Sequence, residues 1–231
     1  MRKSWWKIVC VLLLVYAIAG GLLLPVPELR QLQETIRNLY YHVCMWFSMM
    51  ILFTVSMVYG VKHLRTLDYR YDLYSRAFAA TGLVMGLLGY ATGAIWASYT
   101  WADPNNPAYA SFGTIAREPK LIGAGIAILI YFAYFVLRSS ITDMDKRAKV
   151  GAVYNIFAYA MLFPSIWIVP RLLPSLHPGQ EGNPALNFND IDARMRIVFY
   201  PAVIGWTLLG VWMTTLNIRI SLLNEKKWLH E

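Results

Sequence analysis

The sequence predicts an all-α membrane protein, a polytopic bundle of six transmembrane helices with both termini in the cytoplasm. Three observations support this fold class. Hydrophobic residues make up 58% of the 231 positions and charged residues only 15%, whereas soluble domains carry about a quarter charged residues. Several apolar runs have the length of about 20 residues that a helix needs to cross the hydrocarbon core. Lysine and arginine collect at the ends of these runs, as topology signals do.

The predicted spans form one integral-membrane domain over residues 1–231. Their approximate ranges are 5–24, 43–62, 77–97, 121–138, 150–173 and 197–222. The runs do not alternate between apolar and polar positions, as the strands of a transmembrane β-barrel would. Two thirds of the 21 lysine and arginine residues lie at the ends that share a side with the N-terminus. Because basic residues are retained on the cytoplasmic side, the other three connections are expected outside.

The connections between the spans carry predictions of their own. Apolar residues recur at helical spacing over 28–41, which predicts a short amphipathic helix on the outer surface. The inner connections, 63–76 and 139–149, are charged and are predicted to be turns between antiparallel spans. The second and third outer connections are rich in Pro, Gly and Asn, which predicts successive turns.

Two features within the spans concern local structure. Pro164 lies in the fifth span and predicts a kink, because proline removes a backbone hydrogen bond. Cys10 lies early in the first span and Cys44 early in the second. In an antiparallel pair these positions fall on opposite sides of the membrane, so no disulfide between them is predicted.

Several function classes are excluded or disfavoured. The sequence contains none of the motifs of nucleotide-binding loops, zinc proteases or serine hydrolases, and no enzyme is predicted. The net charge of +8 is scattered at the span ends, so membrane lipids are the expected partners and nucleic acid is not. Acidic residues are absent from the middle of the predicted spans, which argues against a proton-driven transporter.

Two histidines lie where a ligand on the outer side could reach them. His42 precedes the second span, and His177 lies in the connection before the sixth. A neutral imidazole commonly ligates heme iron, and two can bind from opposite faces of the ring. A single interfacial histidine is more often a hydrogen-bonded polar residue. The pair on one face, beside an aromatic segment, favours a site for a large flat ligand such as heme, with His42 and His177 binding the metal.

An aromatic segment at the end of the third span supports the same hypothesis. Trp96, Tyr99 and Trp101 are predicted to form a platform against a porphyrin, although tryptophan and tyrosine also line ordinary membrane interfaces. Heme carries two propionates, which bind cationic side chains. The candidate propionate partners on this side, which could equally bind lipid phosphates, are Arg37, Arg117, Lys120 and Arg171.

Three short segments carry a family resemblance. They are Asn38-Leu-Tyr40-Tyr41-His42-Val43, Gly93-Ala-Ile-Trp96 with Thr100-Trp101, and Leu176-His177-Pro-Gly179. In this order, and within a six-span layout, they resemble the heme exporter protein C branch of the cytochrome c assembly family over nearly the whole chain. The resemblance implies that His42 and His177 are axial ligands of heme. It also implies that Trp96 and Trp101 begin a tryptophan-rich heme-binding segment.

The same resemblance implies a biological setting. Members of this branch lie in the bacterial inner membrane and hold heme on the periplasmic face. They present it to a periplasmic heme chaperone during c-type cytochrome biogenesis, together with ATP-binding-cassette transporter subunits. The tryptophan-rich segment of this chain departs from the family pattern, because Ala102-Asp103-Pro-Asn-Asn-Pro stands where further tryptophans are usual. Two alternatives stay open: a membrane subunit of a transporter or respiratory complex without heme, and a b-type electron carrier.

Overall fold

The computed structural model describes residues 4–29, 32–101, 112–173 and 191–228, and the regular structure in these ranges is entirely helical. Six helices within them are long and apolar enough to cross a membrane: Trp5–Leu23, Gln33–Thr66, Tyr69–Thr100, Pro119–Ser140, Met144–Ile168 and Ala193–Asn224. Each overlaps one predicted span. The all-α class and the six candidate spans are therefore confirmed.

The helices follow one another along the chain as α1 Trp5–Leu23, α2 Leu39–Thr66, α3 Tyr69–Thr100, α4 Phe112–Ala116, α5 Pro119–Ser140, α6 Met144–Leu162, α7 Val169–Leu172 and α8 Ala193–Trp228. A 3₁₀ helix, Gln33–Asn38, leads into α2, and a π-helical segment, Phe163–Ile168, joins α6 to α7. Helix α2 is central and packs against α3, α6 and α8, whereas α1 packs mainly against α8. We call the end at which α1 and α3 finish and α2 begins the His42 end.

The α2–α3 pair packs in a regular antiparallel register. Four glycines of α3, spaced by four, three and four residues, each face one large side chain of α2. A Cβ atom would lie 2.7 Å from Phe53 at Gly82, 2.7 Å from Met49 at Gly86, 3.2 Å from Trp46 at Gly89 and 2.3 Å from His42 at Gly93. Small residues allow close packing of helices in membranes. This series fixes where His42 lies along α3.

The inner connection predicted over 63–76 is wrong in extent, because most of it is helical. Helix α2 continues to Thr66 and α3 begins at Tyr69. Leu67 has a left-handed backbone (φ 57°), and its N–H donates to the His63 carbonyl oxygen at 2.7 Å. The Asp68 carboxylate caps α3 by accepting from the Arg70 N–H at 2.9 Å. Arginine and lysine are good helix formers, so charge here marks helix ends rather than a long loop.

The amphipathic helix predicted over 28–41 is not a separate surface helix. The 3₁₀ helix Gln33–Asn38 runs directly into α2 at Leu39. Its Ile36 side chain is buried, and Leu32 and Leu39 pack against the same cluster, which α1, α2 and α8 share. The helical spacing of apolar residues over 28–41 therefore marks a buried face. Packing of this face in the cluster keeps the 3₁₀ helix continuous with α2.

Two local predictions concern Pro164 and the cysteines. Helix α6 ends at Leu162, and Pro164 lies in the π-helical segment that follows, in which the Val169 N–H donates to the Pro164 carbonyl oxygen. The regular α-helix is thus interrupted where the kink is predicted. Cys10 and Cys44 are both free and fully buried, as expected for two cysteines that do not form a disulfide.

A buried polar cluster joins four helices towards the other end of the bundle. The Arg138 guanidinium of α5 donates to both carboxylate oxygens of Asp72 in α3, at 2.6 and 2.8 Å. The Asn155 amide of α6 donates to the hydroxyls of Ser56 in α2 and Ser75 in α3, at 2.8 and 2.9 Å. Buried polar groups in membrane proteins need such partners. This cluster therefore specifies how α2, α3, α5 and α6 meet.

Candidate ligand-binding groove at the His42 end

The imidazole of His42 lies in the first turn of α2 and is only 8% exposed. Its Nδ1 lies 2.8 Å from the Gly89 carbonyl oxygen of α3. Because a carbonyl oxygen only accepts, Nδ1 carries the proton in this bond and Nε2 carries the lone pair of the neutral ring. A backbone carbonyl that fixes the tautomer and orientation in this way is the usual support of a metal-binding histidine.

Two indole rings pack edge-on against the imidazole. The Trp96 ring centroid lies 6.0 Å from that of His42, with the planes at 71°, and the Trp46 centroid lies at 6.3 Å with the planes at 82°. On the α3 side the ring fits against Gly93, where a Cβ atom would lie 2.3 Å from His42 Cε1. The hydrogen bond to Gly89 and the contacts with Trp46 and Trp96 thus all help to hold the imidazole.

A groove of about 370 Å³ opens beside Trp96. Its exposed surface is mostly apolar, although polar and charged residues alternate with aromatic ones along it; the lining includes Thr35, Asn38, Tyr41, Ile95, Trp96 and Tyr99. Tyr99 is 73% exposed, one turn beyond Trp96 on α3. Ligand sites commonly combine such apolar walls with a few polar groups. Two of the three predicted platform residues therefore meet here, next to the imidazole.

Trp101, the third predicted platform residue, lies elsewhere. It is 8% exposed and packs in a small cluster with Ala97, Ile115 and Leu121, between α3, α4 and α5. The reason is helical geometry. Helix α3 continues to Thr100, so Trp101 is rotated about 140° from Trp96 around the helix axis. The predicted platform assumed that helix three ended sooner, which would have freed the segment to turn back.

Arg37, a predicted propionate partner, lines the groove but is engaged with protein groups. Its Nη1 donates to the carbonyl oxygens of Gly21 and Leu24, at 2.7 and 2.8 Å, and its Nε donates to the Glu34 carboxylate at 2.6 Å. The carbonyls at the end of a helix lack partners within the helix. Arg37 therefore caps the C-terminus of α1 and ties the 3₁₀ helix to it.

Four further predicted site residues do not line the groove or lie outside the described part of the chain. Arg117 is exposed between α4 and α5, and Lys120 is half-buried in the first turn of α5. The backbone of Arg171 belongs to α7, and its side chain lies outside what the structure describes. His177 lies outside the described residues altogether. Among the described ranges, no group of three His, Cys, Asp or Glu side chains forms a metal site.

From the sequence, no role is predicted for three residues of this region: Thr35, Gly89 and Gly93. Thr35 accepts a hydrogen bond from the Trp96 indole N–H at 3.1 Å, and the glycines receive the imidazole. The spacing of Gly82, Gly86, Gly89 and Gly93 was a readable signal, because small residues repeated at this spacing mark one helix face. Nothing in the sequence around Thr35 indicated its partner.

A second ion pair lies at this end of the bundle, at the start of α8. Asp192, which precedes α8, accepts from the Arg194 backbone N–H at 2.8 Å and from the Arg194 guanidinium at 3.0 Å. These bonds lower the pKa of the Asp192 carboxyl below its usual value. The carboxylate stays ionised and caps α8, as acidic residues at helix N-termini do.

Comparison with known proteins does not identify a family. No protein-family model matches the chain, and a search of curated proteins finds no significantly similar sequence. The resemblance drawn from the three short segments is therefore a hypothesis that these comparisons leave untested. The geometry of His42 and of the groove stands independently of it.

Proposed function

We propose that this chain is a non-enzymatic membrane protein that binds heme at its His42 end and presents it to a partner. The observation that carries the proposal is the state of the His42 imidazole. Its proton is held on Nδ1 by the Gly89 carbonyl oxygen, so that the lone pair for a metal is on Nε2. Aromatic rings flank it, and an apolar groove of about 370 Å³ lies alongside.

The residues present fit a porphyrin in their chemistry. When bound, heme would supply an iron centre that can be held by an imidazole nitrogen. His42 provides that nitrogen, and Gly89 and Gly93 orient the ring. Tyr99 and Trp96 offer aromatic surface at the groove, and stacking contacts of this kind contribute about 0.5–1.5 kcal/mol each beyond area burial. From the sequence alone, His177 is proposed as the second residue that would hold the iron.

The proposed setting is the bacterial inner membrane, with the His42 end on the periplasmic face and both termini in the cytoplasm. The distribution of lysine and arginine supports this orientation. The proposed partners are a periplasmic heme chaperone and the ATP-binding-cassette subunits of a c-type cytochrome maturation system. These partners are supported by the family resemblance, which the sequence carries in the segments around His42, Trp96 and His177.

The test is the heme absorbance of the purified protein and of histidine variants. His42→Ala and His177→Ala are each expected to lower the bound heme at least tenfold, because each removes a bond to iron. His63→Ala is the matched control: His63 is also a buried α2 histidine with Nδ1 bonded to a backbone carbonyl oxygen, that of Asp68 at 3.0 Å, but lies at the other end. Equal heme loss in all three variants would contradict axial ligation.

One observation favours a second candidate, a membrane subunit of a transporter or respiratory complex without heme. The His42 side chain is 92% buried and hydrogen-bonded between two helices, a geometry that also suits a purely structural histidine. On this alternative, protein purified from heme-replete cells shows no heme absorbance, and His42→Ala lowers stability alone. The same spectra therefore separate the two candidates.

A further inference from the structure

The imidazole of His42 and the groove are neighbours, yet the groove does not open onto the ring. Trp96 and Tyr99 are among the residues that line the groove, whereas His42 is not one of them and is only 8% exposed. Trp96 is the residue that both lines the groove and packs against the imidazole, at 6.0 Å between ring centroids. The indole is therefore a point of contact between the groove and the imidazole.

The indole is held in this position by a chain of two hydrogen bonds. Its Nε1–H donates to Thr35 Oγ1 at 3.1 Å, and the Thr35 hydroxyl donates to the Leu32 carbonyl oxygen. A threonine hydroxyl has one proton and accepts through its lone pairs. Because that proton is used on Leu32, the hydroxyl presents an acceptor to the indole. The position of Trp96 is thereby set by the 3₁₀ helix rather than by α3 alone.

The 3₁₀ helix is itself fixed to α1. Arg37, two residues after Thr35, donates to the carbonyl oxygens of Gly21 and Leu24. Asn38 then donates to the Thr92 carbonyl oxygen of α3 at 3.3 Å. Thr35 is consequently fixed in place, whereas Trp96 is tied to it by one neutral hydrogen bond and otherwise packs edge-on against His42.

We propose that Thr35 is a positioning residue that holds Trp96 closed over His42, so that a ligand in the groove reaches the imidazole only after the Trp96–Thr35 hydrogen bond breaks. This role rests on the proposed function in one respect: the proposed function supplies the ligand that would have to reach the imidazole. Accessibility of the imidazole can nevertheless be measured without any ligand.

The test is the rate at which diethyl pyrocarbonate acylates individual histidines of the purified protein in detergent, read by peptide mass spectrometry. Thr35→Val keeps the shape but removes the acceptor. Loss of one neutral hydrogen bond is expected to raise the rate at His42 about three- to tenfold. Trp96→Ala, which removes the cover, is expected to raise it further. Thr35→Ser retains the hydroxyl and is expected to react as slowly as the parent protein.

His63 provides the internal reference, because it is 2% exposed and lies at the other end of α2. An unchanged rate at His42 in Thr35→Val overturns the positioning role, and so does an equal rise at His63, which would indicate general loosening. A faster His42 reaction in protein that never binds heme would refute the proposed function and keep this inference. If the protein bound heme but the His42 rate were unchanged in Thr35→Val, the proposed function would be supported and this inference overturned.

Discussion

The absence of a side chain at Gly93 leaves the space that the His42 imidazole occupies. At Gly93 any side chain would lie within 2.3 Å of His42 Cε1 and 2.8 Å of Nδ1. The ring is also bonded to Gly89 and packed between Trp46 and Trp96, so it has little room to give. The identity of residue 93 therefore matters to His42 as much as any hydrogen bond does.

Gly93→Ala is expected to displace the imidazole and to destabilise the protein by about 1–3 kcal/mol, the usual effect of overpacking. Bound heme should fall with it. Gly125→Ala is the matched control, because a Cβ there meets only Tyr90, at 3.8 Å, and alanine favours helix over glycine. Thermal unfolding in detergent and heme absorbance measure both effects. A Gly93→Ala variant as stable as Gly125→Ala would contradict the tight fit.

Arg37 is expected to contribute to the stability of the protein rather than to ligand binding, because its guanidinium is bonded to protein groups. Arg37→Gln removes hydrogen bonds from a charged donor to Gly21 and Leu24, and such bonds contribute about 1.5–3 kcal/mol each. The midpoint of unfolding in denaturant should therefore fall. Arg117→Gln, at an exposed position, should leave the midpoint unchanged. If Arg37→Gln weakened heme binding while unfolding normally, the arginine would be a ligand partner rather than a helix cap.

Among the elements, the tight turn between α2 and α3 has one conformationally costly residue. Leu67 has φ 57° and ψ 17° at the end of α2, a region that costs a residue with a side chain about 1–2 kcal/mol. Glycine adopts it freely. Leu67→Gly is expected to raise stability by about 1 kcal/mol or less, after the entropy of the unfolded chain is counted. Leu67→Ala should not, and equal melting temperatures for the two variants would count against this account.

The elements also show where sequence reasoning succeeds and fails. Apolar length was enough to find all six candidate membrane spans of the described residues, because the hydrocarbon core requires helices of that length. Helix ends were less visible, since residues such as Arg65 and Arg70 are as compatible with a helix as with a loop. Because α3 continues to Thr100, beyond the predicted end of the third span at residue 97, Trp101 lies away from the predicted platform. His42 and Trp96 could be expected near one another from their order in antiparallel spans, whereas the Thr35 contact depends on the fold of the link before α2.

In the whole molecule, the Asp72–Arg138 pair is the charged link within the four-helix polar cluster. The side chains are 15% and 7% exposed. Removing one partner leaves a buried charge uncompensated, which typically costs about 3–5 kcal/mol. Asp72→Asn is thus expected to be severely destabilising, and adding Arg138→Gln should recover part of the loss. Arg194→Gln, in the more exposed pair with Asp192, should change little. Additive losses in the double variant would argue against direct coupling.

The orientation of the whole bundle can be tested with introduced cysteines. Tyr99 lies at the His42 end and is 73% exposed, and Leu67 lies at the other end and is 54% exposed. Tyr99→Cys is expected to react with a membrane-impermeant thiol reagent on intact spheroplasts. In the proposed orientation, which rests on the distribution of basic residues, Leu67→Cys should react only after the membrane is opened. Cys10 and Cys44 are buried and give little background. The reverse pattern would place the groove inside the cell.

The close register between α2 and α3 has a consequence for how the protein is made. Thr35, His42 and Trp96 all belong to the first part of the chain, and the two helices are joined by a turn of only Leu67 and Asp68. Contacts between chain neighbours form quickly, and N-terminal segments fold first during synthesis. The hairpin is therefore expected to close around the imidazole while α5 to α8 are still on the ribosome. A newly made chain would leave the insertion machinery with His42 already enclosed.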